Sequence, residues 1–277
     1  MKLVSYVHNG KPGFGIVKDK GIIALGPRTN QPSLKHVLAN TDALRAYAND
    51  KPDLSLDEVT FAPVVPDPAK ILCVGINYAK HLAESGREKP KQPMFFTRFA
   101  DTQIGHGEPM IVPKISDNLD FEGELAVVIG KPGRYIPESE AMSHVAGYTC
   151  YNDGSIRDWQ WHTIQFTPGK NFPKTGAVGP WIVTPDEVPN ILRASLVTRL
   201  NGQEVQRTTT DDLIFGIPKL INYASSFTPL APGDIILSGT PSGVGAFRKP
   251  PLWMKPGDVT EVEIDGIGVL RNPIAAE

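Results

Sequence analysis

Cysteine is scarce in this 277-residue chain: Cys73 and Cys150 are the only two, each inside an apolar run ("ILCVG", "YTCYN"). Two thiols build no disulfide framework, and their spacing fits no zinc motif. Long apolar runs are missing as well. No stretch of about 18 apolar residues exists, and "MKLVSYVHNG" lacks the apolar core of a secretory leader. Nor is there an excess of either charge, since 28 Lys and Arg stand against 30 Asp and Glu for a net charge of −2. A basic footprint for nucleic acid or for a membrane surface is therefore absent. Internal repeats and low-complexity tracts are lacking too. These absences lead to the expectation of a soluble cytoplasmic protein with neither nucleic acid nor membrane as partner.

What is present is enough apolar sequence, 40% of the chain, for a sizeable core. Glycine and proline are scattered throughout, which suits many short strands joined by tight turns. Residues 1 to about 16 alternate around Asn9-Gly10, a hairpin signal. "SLKHVLANTDALRAYAND" has helical spacing, with Ser33 as a candidate cap. "KPDLSLDEVTFAPVVPDPAK" is punctuated by proline and reads as a linker, which places a boundary near residue 66. Beyond it, strands are expected at "KILCVGINY", "MIVP", "EGELAVVIG", "AGYTCYND", "PWIVT", "SLVTRLNGQEVQ", "DIILSGT" and "DVTEVEIDGIGVLRNPI". Asn201-Gly202 and Asp265-Gly266 mark further hairpins. Helices are expected at "AKHLAESG" and near "DLIFGIPKLINYASSF", and the 86–91 stretch "GREKPK" reads as mobile. Strands dominate without βαβ alternation, which argues against a Rossmann fold or a TIM barrel.

The stretch "LDFEGELAVVIGK" carries the first chemical signal. Strand periodicity puts Asp120, Glu122, Glu124, Ala126 and Val128 on one face, and Phe121, Gly123, Leu125 and Val127 on the other. Like charges at that spacing repel unless a cation sits between them; an exposed strand edge that deters aggregation is the alternative. Twenty-nine residues after Glu124, "YTCYNDGSIRD" ends an apolar strand at Asp153, which could be aimed into the same site or could form an Asx-turn with Gly154. Three carboxylates without His or Cys partners select a hard ion, Mg²⁺, Mn²⁺ or Ca²⁺, and leave about three positions for water or substrate.

Other constellations are weaker singly. His81 and Glu84 lie three apart, so on a helix the carboxylate could orient the imidazole as a general base, or the two could be a surface pair. Lys170, in "GKNFPKTG", could stabilise developing negative charge or be simply solvated. Arg157 and Gln160 would stack on one side of a helical turn. "LSGTPSGVG" offers backbone amides for a carboxylate or phosphate, but it lacks the ending of a nucleotide-binding P-loop.

Together "VGINYAKHLAE", "DFEGELAVVIGK", "YNDGSIRDWQ", "GKNF" and "DIILSGTPSGVG", in that order over roughly residues 70 to 245, resemble the fumarylacetoacetate hydrolase superfamily. The resemblance implies an α+β, mostly β fold: a mixed β-roll or β-sandwich catalytic domain over 67–277, preceded by a small N-terminal α+β domain over 1–66, as a homodimer. It implies a divalent metal, Mg²⁺ or Mn²⁺ with Ca²⁺ also open, on Glu122, Glu124 and Asp153, with Asp120 behind them. His81 and Glu84 resemble the family's water-activating dyad, and Lys170 its active-site lysine. Arg157, Gln160 and Thr240 match its substrate-contacting residues. The implied activity is hydrolysis of a C–C bond in a β-diketo acid of the acylpyruvate type (fumarylpyruvate, maleylpyruvate) in aromatic catabolism. Oxaloacetate decarboxylation or dienoate isomerisation or hydration at the same site is the alternative. Two stretches depart from the pattern. Many relatives read Asn-Asp, a hydrophobic residue, then Ser-Ala-Arg-Asp, where this chain has Gly154 in place of the hydrophobic residue and Ile156 in place of the alanine. Many also carry Lys-Pro where it has Arg98-Phe99.

Overall fold

A computed structural model describes residues 1–85 and 88–277. Of the stretch expected to be mobile, Gly86 and Arg87 lie outside the described residues. The fold is α+β and mostly β, as expected. A twelve-stranded mixed sheet forms its spine. Along it run Leu54–Ser55, Gly21–Ala24, Lys11–Lys18, Lys2–His8, Gly176–Val183, Val145–Asp153, Gly123–Ile129, Ile235–Leu237, Ile71–Gly75 and Met94–Arg98, while Thr60–Phe61 and Gln103–Ile104 pair off this path. A five-stranded sheet runs Gln203–Thr209, Ser195–Leu200, Val259–Ile264, Gly268–Ala276, Met110–Val112. Between the two sheets lies one apolar cluster that takes Leu125 and Val127 from the first and Leu196, Val262 and Leu270 from the second.

The period-two reading of Gly123–Ile129 has a direct consequence. Leu125, Val127 and Ile129 enter the cluster between the sheets, whereas Ala126 and Val128 enter a second cluster on the opposite face with Leu3, Phe14, Leu38 and Ile235. The strand is covered on both sides, which explains its unbroken apolar run; each such Val or Leu contributes about 1.5–3 kcal/mol on burial. Glu122, just ahead of the strand, and Glu124 within it are thereby fixed in buried positions.

The Asn9-Gly10 and Asn201-Gly202 turns form as expected, all four residues having positive φ of 50° to 78°. Two expectations need correction. The "SLKHVLANTDALRAYAND" segment is not one α-helix but 3₁₀ turns over Leu34–His36 and Leu38–Tyr47, broken at Asn40 (φ −144°, ψ 68°). The Asn40 side chain accepts from Ala43 N at 3.3 Å, competing with the helical ladder. Ser33 Oγ meets His36 Nδ1 at 2.9 Å instead of capping the backbone. The proline-rich "linker" is also ordered: Leu54–Ser55 pairs with Gly21–Ala24, and Thr60–Phe61 pairs with Lys2–His8. A Ser55/Glu58 capping box bridges them. The N-terminal strands join the large sheet through Lys2–His8 beside Gly176–Val183.

Candidate metal and active centre

Antiparallel pairing builds the acidic cluster. Gly123 lies opposite Asn152, so Glu122 comes to face Asp153, whose amide donates to the Glu122 carbonyl at 2.8 Å. Glu124 follows two residues on, along the same side. One ligand oxygen from each of Glu122, Glu124 and Asp153 lies within 4.8 Å of the other two, and all three residues are buried. Asp153 therefore makes no Asx-turn; it faces the interior.

Three cations are threaded between these carboxylates. Lys170 Nζ is 2.7 Å from Glu122 Oε2 and 2.5 Å from Asp153 Oδ2. Arg157 donates from Nε to Asp120 Oδ2 at 2.8 Å, and its Nη2 lies 2.5 Å from Glu122 Oε1 as an ion pair at an angle too poor for a hydrogen bond. Arg98 Nη1 donates to Asp153 Oδ1 at 2.6 Å. Among the described residues Glu124 has no ion pair, and it accepts only the Gly239 amide, at 2.8 Å.

This imbalance shows in the ionisation of the pair. Burial pushes Glu122 up, but Arg157 and Lys170 outweigh it and hold its carboxyl well below the usual range. Burial pushes Glu124 up too, and the charges of Asp153 and Glu122 push it further, so its carboxyl is held well above the usual range. Lys170 is the converse: burial lowers its pKa, yet the carboxylates of Asp153 and Glu122 raise it, so it stays charged. A buried, oxygen-only donor set with one carboxylate lacking a cation fits a hard divalent ion.

Lys170 is not a solvated loop lysine. It ends the short helix Thr167–Lys170 and is 1% exposed. The preceding residue must be glycine, because a Cβ at Gly169 would stand 2.4 Å from the Gln160 amide nitrogen. That close approach brings the turn against helix Arg157–Gln160, where Arg157 Nη1 donates to Gln160 Oε1 at 2.8 Å.

His81 and Glu84 sit on helix Ala79–Ser85 with Nδ1 3.2 Å from Oε2. The Gly243 amide reaches both Glu84 oxygens at 3.2 Å, and the His81 ring lies 6.0 Å from that of Phe247. The "SGTPSGVG" loop thus does use its amides to cradle carboxylates, but the protein's own. Gly239 holds Glu124 and Gly243 holds Glu84, while Gly245 and Ala246 hold Asp120 at 2.7 and 2.9 Å. Thr240 Oγ1 accepts from Gln206 Nε2 at 2.9 Å and donates to the Gly123 carbonyl at 3.1 Å, so its only proton is engaged within the protein.

Seven of the nine residues singled out above (His81, Glu122, Glu124, Arg157, Gln160, Lys170 and Thr240) line one cavity of about 60 Å³. Glu84 and Asp153 stand behind it. Sequence reasoning missed the aromatic residues of the same lining, Phe96, Trp161, Phe166 and Phe247. It noticed Arg98 only as a departure from pattern; a charge closing the apolar strand "MFFTR" was the available signal.

A mostly β fold that buries an acidic triad beside a lysine and an oriented histidine defines an enzyme site able to hold a divalent ion. The chain belongs to the fumarylacetoacetate hydrolase family: the family model "Fumarylacetoacetate (FAA) hydrolase C-terminal" matches residues 70–275. It is 44% identical to the mitochondrial oxaloacetate tautomerase FAHD2A of Bos taurus, over 99% of this chain and 91% of that one. Among solved structures it resembles the fumarylacetoacetate hydrolase of Exiguobacterium antarcticum (TM-score 0.85, 31% identity, all of both chains). It also resembles a maleylpyruvate hydrolase of Sphingobium sp. SYK-6 in complex with manganese(II) and pyruvate (TM-score 0.84, 26% identity, 100% of this chain and 99% of that one). The cytoplasmic expectation is corrected by these relatives: the bovine protein, and the human one at 42% identity, are named mitochondrial. The short leader-free reading of "MKLVSYVHNG" carried no information on that point.

Proposed function

We propose that the chain is a divalent-metal-dependent enzyme that interconverts the enol and keto forms of oxaloacetate, assembled as a homodimer. The observation that carries this reading is the buried Glu122/Glu124/Asp153 cluster, flanked by Lys170 and His81 in one small cavity, in a chain 44% identical to an oxaloacetate tautomerase along nearly its whole length.

Glu122, Glu124 and Asp153 would hold the ion, which supplies Lewis-acid polarisation of the keto acid. Lys170 and Arg157 place positive charge where the enolate oxygen and a substrate carboxylate would lie. His81, oriented through Nδ1 by Glu84, keeps Nε2 for proton transfer: it takes the proton from the enol hydroxyl and delivers one to C3, so the atoms balance with no co-reactant. His81→Ala is expected to reduce the rate about 100- to 10,000-fold, the usual worth of a positioned acid–base group. A loss under twofold would remove His81 and Glu84 from the proton-transfer role.

The hydrolytic reading is second, supported by the maleylpyruvate hydrolase likeness and by a dyad able to activate water. The deciding experiment follows enol oxaloacetate by ultraviolet absorbance and NMR, with Mn²⁺ or with chelator. Metal-dependent loss of the enol signal without pyruvate supports the tautomerase. Pyruvate and carbon dioxide would indicate decarboxylation instead. Pyruvate plus a free acid from acetylpyruvate or maleylpyruvate, with oxaloacetate untouched, would favour hydrolysis.

A further inference from the structure

We infer that Arg98 is a positioning residue for the metal ligand Asp153, setting which carboxylate oxygen faces the ion and hence how tightly the ion is held. The inference rests on the metal reading above and adds to it a residue from outside the cavity. Arg98 ends strand Met94–Arg98 and is 3% exposed. Its fork is divided: Nη1 donates to Asp153 Oδ1 (2.6 Å) and to the Gly154 carbonyl (2.9 Å), and Nη2 donates to Thr175 Oγ1 (2.8 Å). Thr175 in turn donates to the Phe172 carbonyl at 2.7 Å, so the far arm of the fork is anchored to the backbone.

The consequence for Asp153 is geometric. Its Oδ1 is taken by a guanidinium that cannot rotate away without stranding Thr175 and the Gly154 carbonyl. Only Oδ2 is left on the side of Glu122 and Lys170, the latter at 2.5 Å. Asp153 can then serve the ion through one oxygen, in a fixed direction. Partners that orient a ligating carboxylate in this way are worth about 10- to 100-fold in metal affinity. A lysine at this position would supply the charge to Oδ1 but lacks a second, planar arm to reach Thr175, so the two side chains are not equivalent here.

The opposing effect is electrostatic, since a cation beside a ligand repels a second cation. Arg98 is already neutralised by Asp153 at contact distance, and the orienting effect is therefore expected to dominate. The test is Mn²⁺ titration of the purified full chain, read by the free-ion EPR signal, for the wild type, Arg98→Lys, Arg98→Met and Glu122→Ala, with a thermal melt of each. Expected is a 10- to 100-fold weaker Kd for Arg98→Met, a smaller loss for Arg98→Lys, and no site binding for Glu122→Ala. If Arg98→Met fails to fold, Arg98→Lys alone decides, at threefold or more weaker binding. Folded variants that bind Mn²⁺ within twofold of wild type would overturn the inference even where their melts are lowered, as would tighter binding. Absence of Mn²⁺ binding by the wild type would instead overturn the metal reading and this inference with it.

Discussion

Lys170→Met is expected to destabilise the metal-free protein by about 3–5 kcal/mol and to reduce turnover of the loaded enzyme by about 100- to 1,000-fold. Both magnitudes follow from where Nζ sits. It lies 2.7 Å from Glu122 and 2.5 Å from Asp153, 1% exposed, with the Phe96 ring at 5.1 Å. Methionine preserves the stem and its packing on the ring but removes the charge. Glu122 keeps Arg157 and Asp153 keeps Arg98, yet both buried carboxylates lose the ammonium they share. Removing one member of a buried ionic group is costly for this reason, because the partner's desolvation is no longer offset. The kinetic loss has a separate origin, the missing cation at the developing enolate. Saturating Mn²⁺ should restore most of the lost stability and little of the rate, since an ion can neutralise the carboxylates without standing where the ammonium stood. Urea melts with and without Mn²⁺ read the first effect; turnover at saturating metal reads the second. A variant as stable as wild type without metal would show that Lys170 does not neutralise the cluster.

How much of this could be seen in the sequence depended on whether the signal was local. The strand Gly123–Ile129 was readable because its alternation is a property of consecutive residues, and the turns at Asn9-Gly10 and Asn201-Gly202 because asparagine and glycine tolerate positive φ. Two carboxylates on one strand face advertised a cation for the same reason. The 3₁₀ break at Asn40 was invisible to apolar periodicity, which counts buried positions and not a side chain that competes for the backbone. Leu54–Ser55 and Thr60–Phe61 were hidden by their brevity: two-residue strands exist only through the partners they meet, 30 or more residues away. The same distance hid the roles of Arg98 and Gln206, whose partners Asp153 and Thr240 lie 55 and 34 positions along the chain. Family resemblance supplied what local rules could not, the grouping of Lys170 with the acidic residues. It left the hydroxyl of Thr240 to be placed by the structure, which engages its proton inside the protein.

Glu124→Gln should part stability from function. The metal-free variant is expected to be more stable than wild type by about 1–3 kcal/mol near neutral pH, and to lose metal-dependent turnover. Within the acidic cluster Glu124 is the carboxylate with no ion pair among the described residues; it is 2% exposed, and burial together with Asp153 and Glu122 holds its pKa well above 4.5. A folded-state pKa raised above the unfolded value means that the unfolded chain ionises first as pH rises. The folded state is then penalised increasingly from about the unfolded pKa upward, and the penalty vanishes below it. Glutamine keeps an oxygen to accept the Gly239 amide at a similar distance and removes the penalty. Its stabilising effect should therefore be absent near pH 4 and grow toward pH 8. Adding Mn²⁺ should reverse the order of the two proteins, because only wild type gains the ion's binding energy. Melts of both proteins across that range, with chelator and with Mn²⁺, supply the test. Equal stability in chelator at pH 8 would mean that Glu124 is already compensated. A Gln variant that Mn²⁺ stabilises as strongly as wild type would remove Glu124 from the ligand set, leaving a site in which the strand's two glutamates serve different ends.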